Sequence, residues 1–114
     1  MEPRGLSEPV KNLLVCREEE VFVSAISAFE LGIKVQKGKL KLPLAVGLWF
    51  KNTVTLHDLK ELEINSEIAS RSTELPLIHF DPFDRILVST AQIHDLTLLT
   101  PDKFIRQYDV KTKW

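Results

Sequence analysis

The segment Asp81-Pro82-Phe83-Asp84-Arg85-Ile86-Leu87-Val88-Ser89-Thr90-Ala91 leaves this chain few choices. Asp81 reads as a helix N-cap and Pro82 as the first helical residue, where a missing N–H loses no hydrogen bond. Asp84 falls in the first turn, and Ile86, Leu87, Val88 and Ala91 form the side that packs. The pattern predicts a helix to about His94, followed by a short buried strand, Leu96-Thr97-Leu98-Leu99. A helix feeding a parallel strand runs antiparallel to it, so its first turn lies at the edge where the strands end. In open α/β sheets that edge is where ligands bind.

The remaining segments fit the same architecture. Leu6 to Arg17 reads as a helix, and Val21-Phe22-Val23-Ser24 as a strand. A helix from Ala25 to Lys37 is closed by Gly38. A second amphipathic helix spans Leu42 to Asn52, a brief strand Leu62 to Ile64, and Asn65 caps a helix through Ser72. After Thr100-Pro101-Asp102 come a helical turn holding Phe104 and a last strand, Tyr108 to Thr112. Strands alternating with helices predict an α/β fold: a short parallel sheet with helices on both faces. At 114 residues, the chain is read as one domain, 1–114.

A net charge of −1 excludes a general polyanion binder, so any nucleic-acid contact must use a local patch. The single cysteine, Cys16, cannot build a disulfide framework. No apolar run approaches the roughly 20 residues of a membrane span, and the N-terminus lacks a signal-peptide pattern. A cytoplasmic protein without membrane association is expected.

Three carboxylates occupy comparable places. Glu30 lies near the start of the helix after strand 21–24, Asp84 in the first turn before strand 96–99, and Asp102 just after that strand. The direction argument puts all three at the carboxyl edge of the sheet. Clustered carboxylates repel unless a cation lies between them. Hard oxygen ligands suit Mg²⁺ or Mn²⁺, and such a site supports hydrolysis of a phosphodiester.

Each acid also has a plain structural explanation. Ser27 and Glu30 match the capping-box spacing. Asp84 and Asp102 sit where the helix dipole favours acids. Glu30 nevertheless shares a face with Ile26 and Ile33, and an unpaired buried carboxylate costs several kcal/mol; a partner or a cation is the preferred reading. Asp81 is read chiefly as a cap, with metal contact as a second role. His79 reads as a loop histidine rather than a ligand, and His57 and His94 as surface residues. Lys34, Lys37, Lys39 and Lys41 form an acid-free basic stretch: a solvated helix end, or a contact line for an RNA backbone. Leu44, Leu48 and Trp49 form an apolar stripe that reads as core or as a partner surface.

Val21-Phe22-Val23-Ser24-Ala25-Ile26-Ser27-Ala28-Phe29-Glu30, then Lys34, Gly38-Lys39-Leu40 and Leu42-Pro43, then Asp81-Pro82-Phe83-Asp84-Arg85, then Leu96-Thr97-Leu98-Leu99-Thr100-Pro101-Asp102 with Phe104 closely resemble PIN-domain proteins of the VapC toxin type. The resemblance runs from Leu6 onward. It implies a three-layer PIN fold, Mg²⁺- or Mn²⁺-dependent endoribonuclease chemistry on an RNA substrate, and inhibition by a small cognate antitoxin. Glu30, Asp84 and Asp102 occupy the positions of the family's acidic metal site. A homodimer is the expected assembly.

Members of that family usually open with a short apolar strand ending in aspartate, at the centre of the sheet. Nothing here matches it. The expectation is a sheet without its central first strand, a slot of roughly 10 Å between strands 21–24 and 96–99, and a metal site short of one ligand. Three readings follow: an endoribonuclease toxin, weakened by the absent aspartate; a non-catalytic module that binds an antitoxin or dimerises; and an unrelated α/β domain whose acids only cap helices.

Overall fold

The computed structural model describes residues 20–114. The helix expected from Leu6 to Arg17, and Cys16 with it, lie outside the described residues. The elements are β1 (Phe22–Ser24), α1 (Ile26–Gln36), α2 (Val46–Leu56), β2 (Lys60–Leu62), α3 (Ser66–Glu74), α4 (Pro82–His94), β3 (Leu98–Leu99), a 3-10 turn (Ile105–Gln107) and β4 (Thr112–Lys113). This is an α/β protein with short parallel strands. Two compact units are distinguished, residues 21–64 and, with Glu20, residues 65–114.

In the unit of residues 21–64, β1 pairs in parallel with β2, Val23 opposite Glu61. Ser24 then turns the chain: its Oγ accepts the Ile26 N–H at 3.1 Å, satisfying one of the orphan donors of α1. Ser27 therefore lies inside α1, and the capping-box explanation of Glu30 does not hold. Gly38, at φ 73°, closes α1 in the left-handed region that glycine enters without strain. Helix α2 starts four residues later than the sequence suggests. Leu42, Pro43 and Leu44 stay outside it, and Ala45 at its N-cap has ψ 146°. It ends at Leu56, four residues beyond the expected Asn52. Strand β2 correspondingly starts at Lys60, where the register with Phe22 fixes it.

In the unit of residues 65–114, α3 and α4 carry the packing. Asn65 caps α3, its Oδ1 accepting the Ile68 N–H at 2.9 Å. Asp81 caps α4, its Oδ1 accepting the Phe83 N–H at 2.9 Å, with Pro82 next. Ser89 Oγ donates to the Ile68 carbonyl at 3.0 Å, and both residues are fully buried. Val88, Ile105 and Tyr108 form the buried centre, flanked by Leu75, Ile78, Leu98 and Val110.

Asp95 ends α4 in the left-handed region, φ 53°, and the Leu96 N–H returns to the Ala91 carbonyl. That return uses Leu96 as a helix terminator, so β3 is confined to Leu98–Leu99. It pairs in parallel with Thr112–Lys113 rather than with residues from Tyr108 onward. Tyr108 instead turns its side chain into the core. The described strands thus form two separate parallel pairs. No helix among the described residues is long and apolar enough to cross a membrane.

Candidate metal centre

Asp84 and Asp102 meet at one histidine. His79 Nε2 lies 3.1 Å from Asp84 Oδ2 and 3.3 Å from Asp102 Oδ2. One ligand-capable atom from each of the three side chains falls within 4.8 Å of the others. All three are partly shielded, the side chains retaining 20%, 25% and 31% exposure for His79, Asp84 and Asp102.

Local sequence explains each placement. The Asp81 cap and Pro82 start α4 where they do, so Asp84 must stand in its first turn. Thr100 follows β3, and its Oγ1 accepts the Asp102 N–H at 3.1 Å. Asp102 in turn offers Oδ1 to the N–H groups of Phe104 at 2.7 Å and Ile105 at 3.3 Å, starting the 3-10 turn. With Oδ1 taken by the backbone, Oδ2 is the oxygen left to face His79.

The His79 loop rests on a buried cation. Arg85 is 8% exposed. Its Nη1 donates to the carbonyls of Pro76 and His79 and to the Tyr108 hydroxyl, and its Nη2 to the carbonyl of Leu75, all within 3.2 Å. The Tyr108 hydroxyl donates to the Pro76 carbonyl at 2.9 Å and accepts the His79 N–H at 2.9 Å. A buried guanidinium is tolerable only when its forked donors are matched this way. The arrangement fixes the main chain of His79 on both sides of its Cα. The ring is set by an edge contact with Phe104, centroids 5.7 Å apart and planes at 64°.

Burial alone would raise the Asp102 pKa. The N–H groups of Phe104 and Ile105, with the His79 ring, outweigh it and hold the carboxyl below its usual value. Asp102 is thus kept ionised, as a cation ligand must be. Two convergent carboxylate oxygens are the hard donors that Mg²⁺ and Mn²⁺ prefer.

The other residues singled out in the sequence are placed as follows. Asp81, in the same unit, caps α4 and is not among the three converging side chains. Glu30 is half-buried on α1, in the unit of residues 21–64. Lys34, Lys37, Lys39 and Lys41 of that unit are all exposed. Leu44 and Leu48 keep 43% and 51% exposure, whereas Trp49 is half-buried. His79, read from the sequence as a loop histidine rather than a ligand, is the third converging side chain. Its one signal was position: two residues before the cap of the helix that carries Asp84.

The PIN domain profile matches residues 2–111. The chain is 28% identical over 108 residues to Ribonuclease VapC22 of Mycobacterium tuberculosis (strain ATCC 25618 / H37Rv), covering 94% of this chain and 81% of that protein. No solved structure matches. A match across nearly the whole chain, with the acids of α4 and of the segment after β3 brought to one point, places the protein: it belongs to the PIN-domain family, in its VapC type.

Proposed function

We propose that this chain is a divalent-cation-dependent endoribonuclease, the toxin of a toxin–antitoxin pair. The observation that carries the reading is the convergence of Asp84 Oδ2 and Asp102 Oδ2 on a single point at His79 Nε2. Asp84 and Asp102 would hold Mg²⁺ or Mn²⁺, with Glu30 as a further acid. Glu30, half-buried on α1 without a capping role there, is proposed as an acid on the strength of the family resemblance. When bound, the ion activates water and neutralises charge developing on the phosphate.

The side chains have definable tasks. Asp102, held ionised by backbone donors, keeps an acceptor in place at neutral pH. Asp84 shares the same point from a rigid helical turn. Lys34, Lys37 and Lys39 would neutralise backbone phosphates of the RNA. The exposed Leu44 and Leu48, beside Trp49, would seat a small antitoxin, and a second copy of the chain completes the expected homodimer.

Purified protein incubated with RNA in Mn²⁺ or Mg²⁺ should cleave it. Chelation or Asp84→Asn should abolish cleavage. Intact RNA in the presence of either ion would overturn the reading. The exposure of Leu44 and Leu48 also favours a second reading, a binding module without catalysis, which predicts capture of the antitoxin and no cleavage under any ion.

A further inference from the structure

We propose that His79 is a positioning residue that donates a hydrogen into the cation's seat, rather than a ligand of the cation. The inference rests on the metal-dependent reading above and concerns how the seat is held. The Asp81 main-chain N–H donates to His79 Nδ1 at 3.2 Å. A main-chain N–H can only donate, so Nδ1 presents its lone pair there. The hydrogen of the neutral ring is then on Nε2, the nitrogen that faces both carboxylates. That hydrogen faces Asp84 Oδ2 at 3.1 Å and Asp102 Oδ2 at 3.3 Å, and Asp102 Oδ2 accepts it.

Binding a cation through Nε2 would need a lone pair there. The hydrogen would have to move to Nδ1, against the Asp81 N–H, setting two donors face to face. Turning the ring over is opposed by its surroundings. The His79 N–H is bonded to the Tyr108 hydroxyl, its carbonyl to Arg85, and its ring edge packs on Phe104. The Nε2–H and a divalent ion therefore face the same two oxygens. In the ion-free protein the hydrogen faces both acids and is accepted by Asp102. An ion held by the two acids would displace that hydrogen.

Long-range ¹H–¹⁵N spectra of histidine-labelled protein in chelator read the tautomer directly. His79 should show a protonated Nε2 and a bare Nδ1; the opposite tautomer overturns the assignment, whatever happens with metal. Calorimetric titration with Mn²⁺ alone then compares wild type with His79→Phe, which keeps a ring on Phe104 but has no donor, and His79→Gln, which restores an N–H. His79→Phe should bind Mn²⁺ at least about threefold tighter, with His79→Gln returning toward wild type. Weaker or unchanged binding by His79→Phe, where wild type binds, overturns the His79 assignment alone. Binding by neither protein overturns it together with the metal-dependent reading, which RNA cleavage by wild type tests separately.

Discussion

Arg85 Nη1 donates to the Tyr108 hydroxyl across 3.2 Å, joining residues 23 positions apart beneath the loop that carries His79. Together they satisfy the carbonyls of Pro76 and His79, and Tyr108 accepts the His79 N–H. The charge of Arg85 is met by peptide carbonyls and a hydroxyl, and its donors tie the loop to α4. The pair makes the position of His79 a property of the core.

Removing either partner leaves buried polar groups unmatched. Arg85→Met should destabilise the fold by about 2–4 kcal/mol, because the carbonyls of Leu75, Pro76 and His79 each lose one charged donor at once. Tyr108→Phe removes a single atom and should cost about 1–2 kcal/mol. Urea denaturation of the chelator-treated protein measures both, and the order of the two losses is the test.

Asp102→Asn separates chemistry from folding. The side chain keeps an oxygen for the N–H groups of Phe104 and Ile105, so the 3-10 turn should persist. It loses the charge that a cation needs. RNA cleavage should fall by at least about 10²-fold, in the range seen on losing one stabilising group of an active site, with a nearly unchanged far-ultraviolet spectrum. Asp84→Asn should match it in rate.

The lowered pKa of Asp102 makes a signed pH prediction. Its native value lies below that of the unfolded chain, about 3.9. The native state therefore gains stability from this carboxylate above the unfolded value, and loses that gain as pH falls through the native value. In chelator, the urea midpoint should drop between about pH 5 and pH 3. The drop should be shallower in Asp102→Asn.

Asn65→Ala removes the acceptor of the Ile68 N–H at the start of α3. The expected cost is about 1 kcal/mol, read as a lower urea midpoint with an unchanged slope. Cleavage rate at saturating Mn²⁺ should be unaffected, since Asn65 touches none of the acids.

Leu48→Glu on α2 tests the proposed antitoxin surface. Leu48 is half exposed and both residues favour helix, so stability should stay within about 0.5 kcal/mol. Affinity for the cognate antitoxin should fall about tenfold, as on loss of one apolar anchor. RNA cleavage by the free protein should be retained.

The start of α4 was legible because Asp81 and Pro82 are local signals that tertiary packing reinforces. Asn65 and Gly38 were legible for the same reason. The bounds of α2 and β2 were not. Leu42-Pro43-Leu44 has the composition of a helix start, yet the helix begins after it, and the register of β2 is set by β1, a partner absent from any short window. The meeting of Asp84 with Asp102 follows from chain direction, since the first turn of α4 and the residues after β3 share an edge. The part played by His79 was not legible. It depends on Arg85, bonded to main-chain carbonyls six to ten residues away, and on Tyr108, whose bonds span 23 to 32 residues; neither leaves a periodicity to read.

Tyr108 follows Glu30, Asp84 and Asp102 in the chain, and follows every other member of the clamp it completes. A ribosome therefore releases all three acids before it releases the hydroxyl that locks the loop between α3 and α4. The nascent polypeptide carries the full set of charges while that loop is still untethered. The loop that presents His79 to Asp84 and Asp102 is therefore tied down only after both acids have been made.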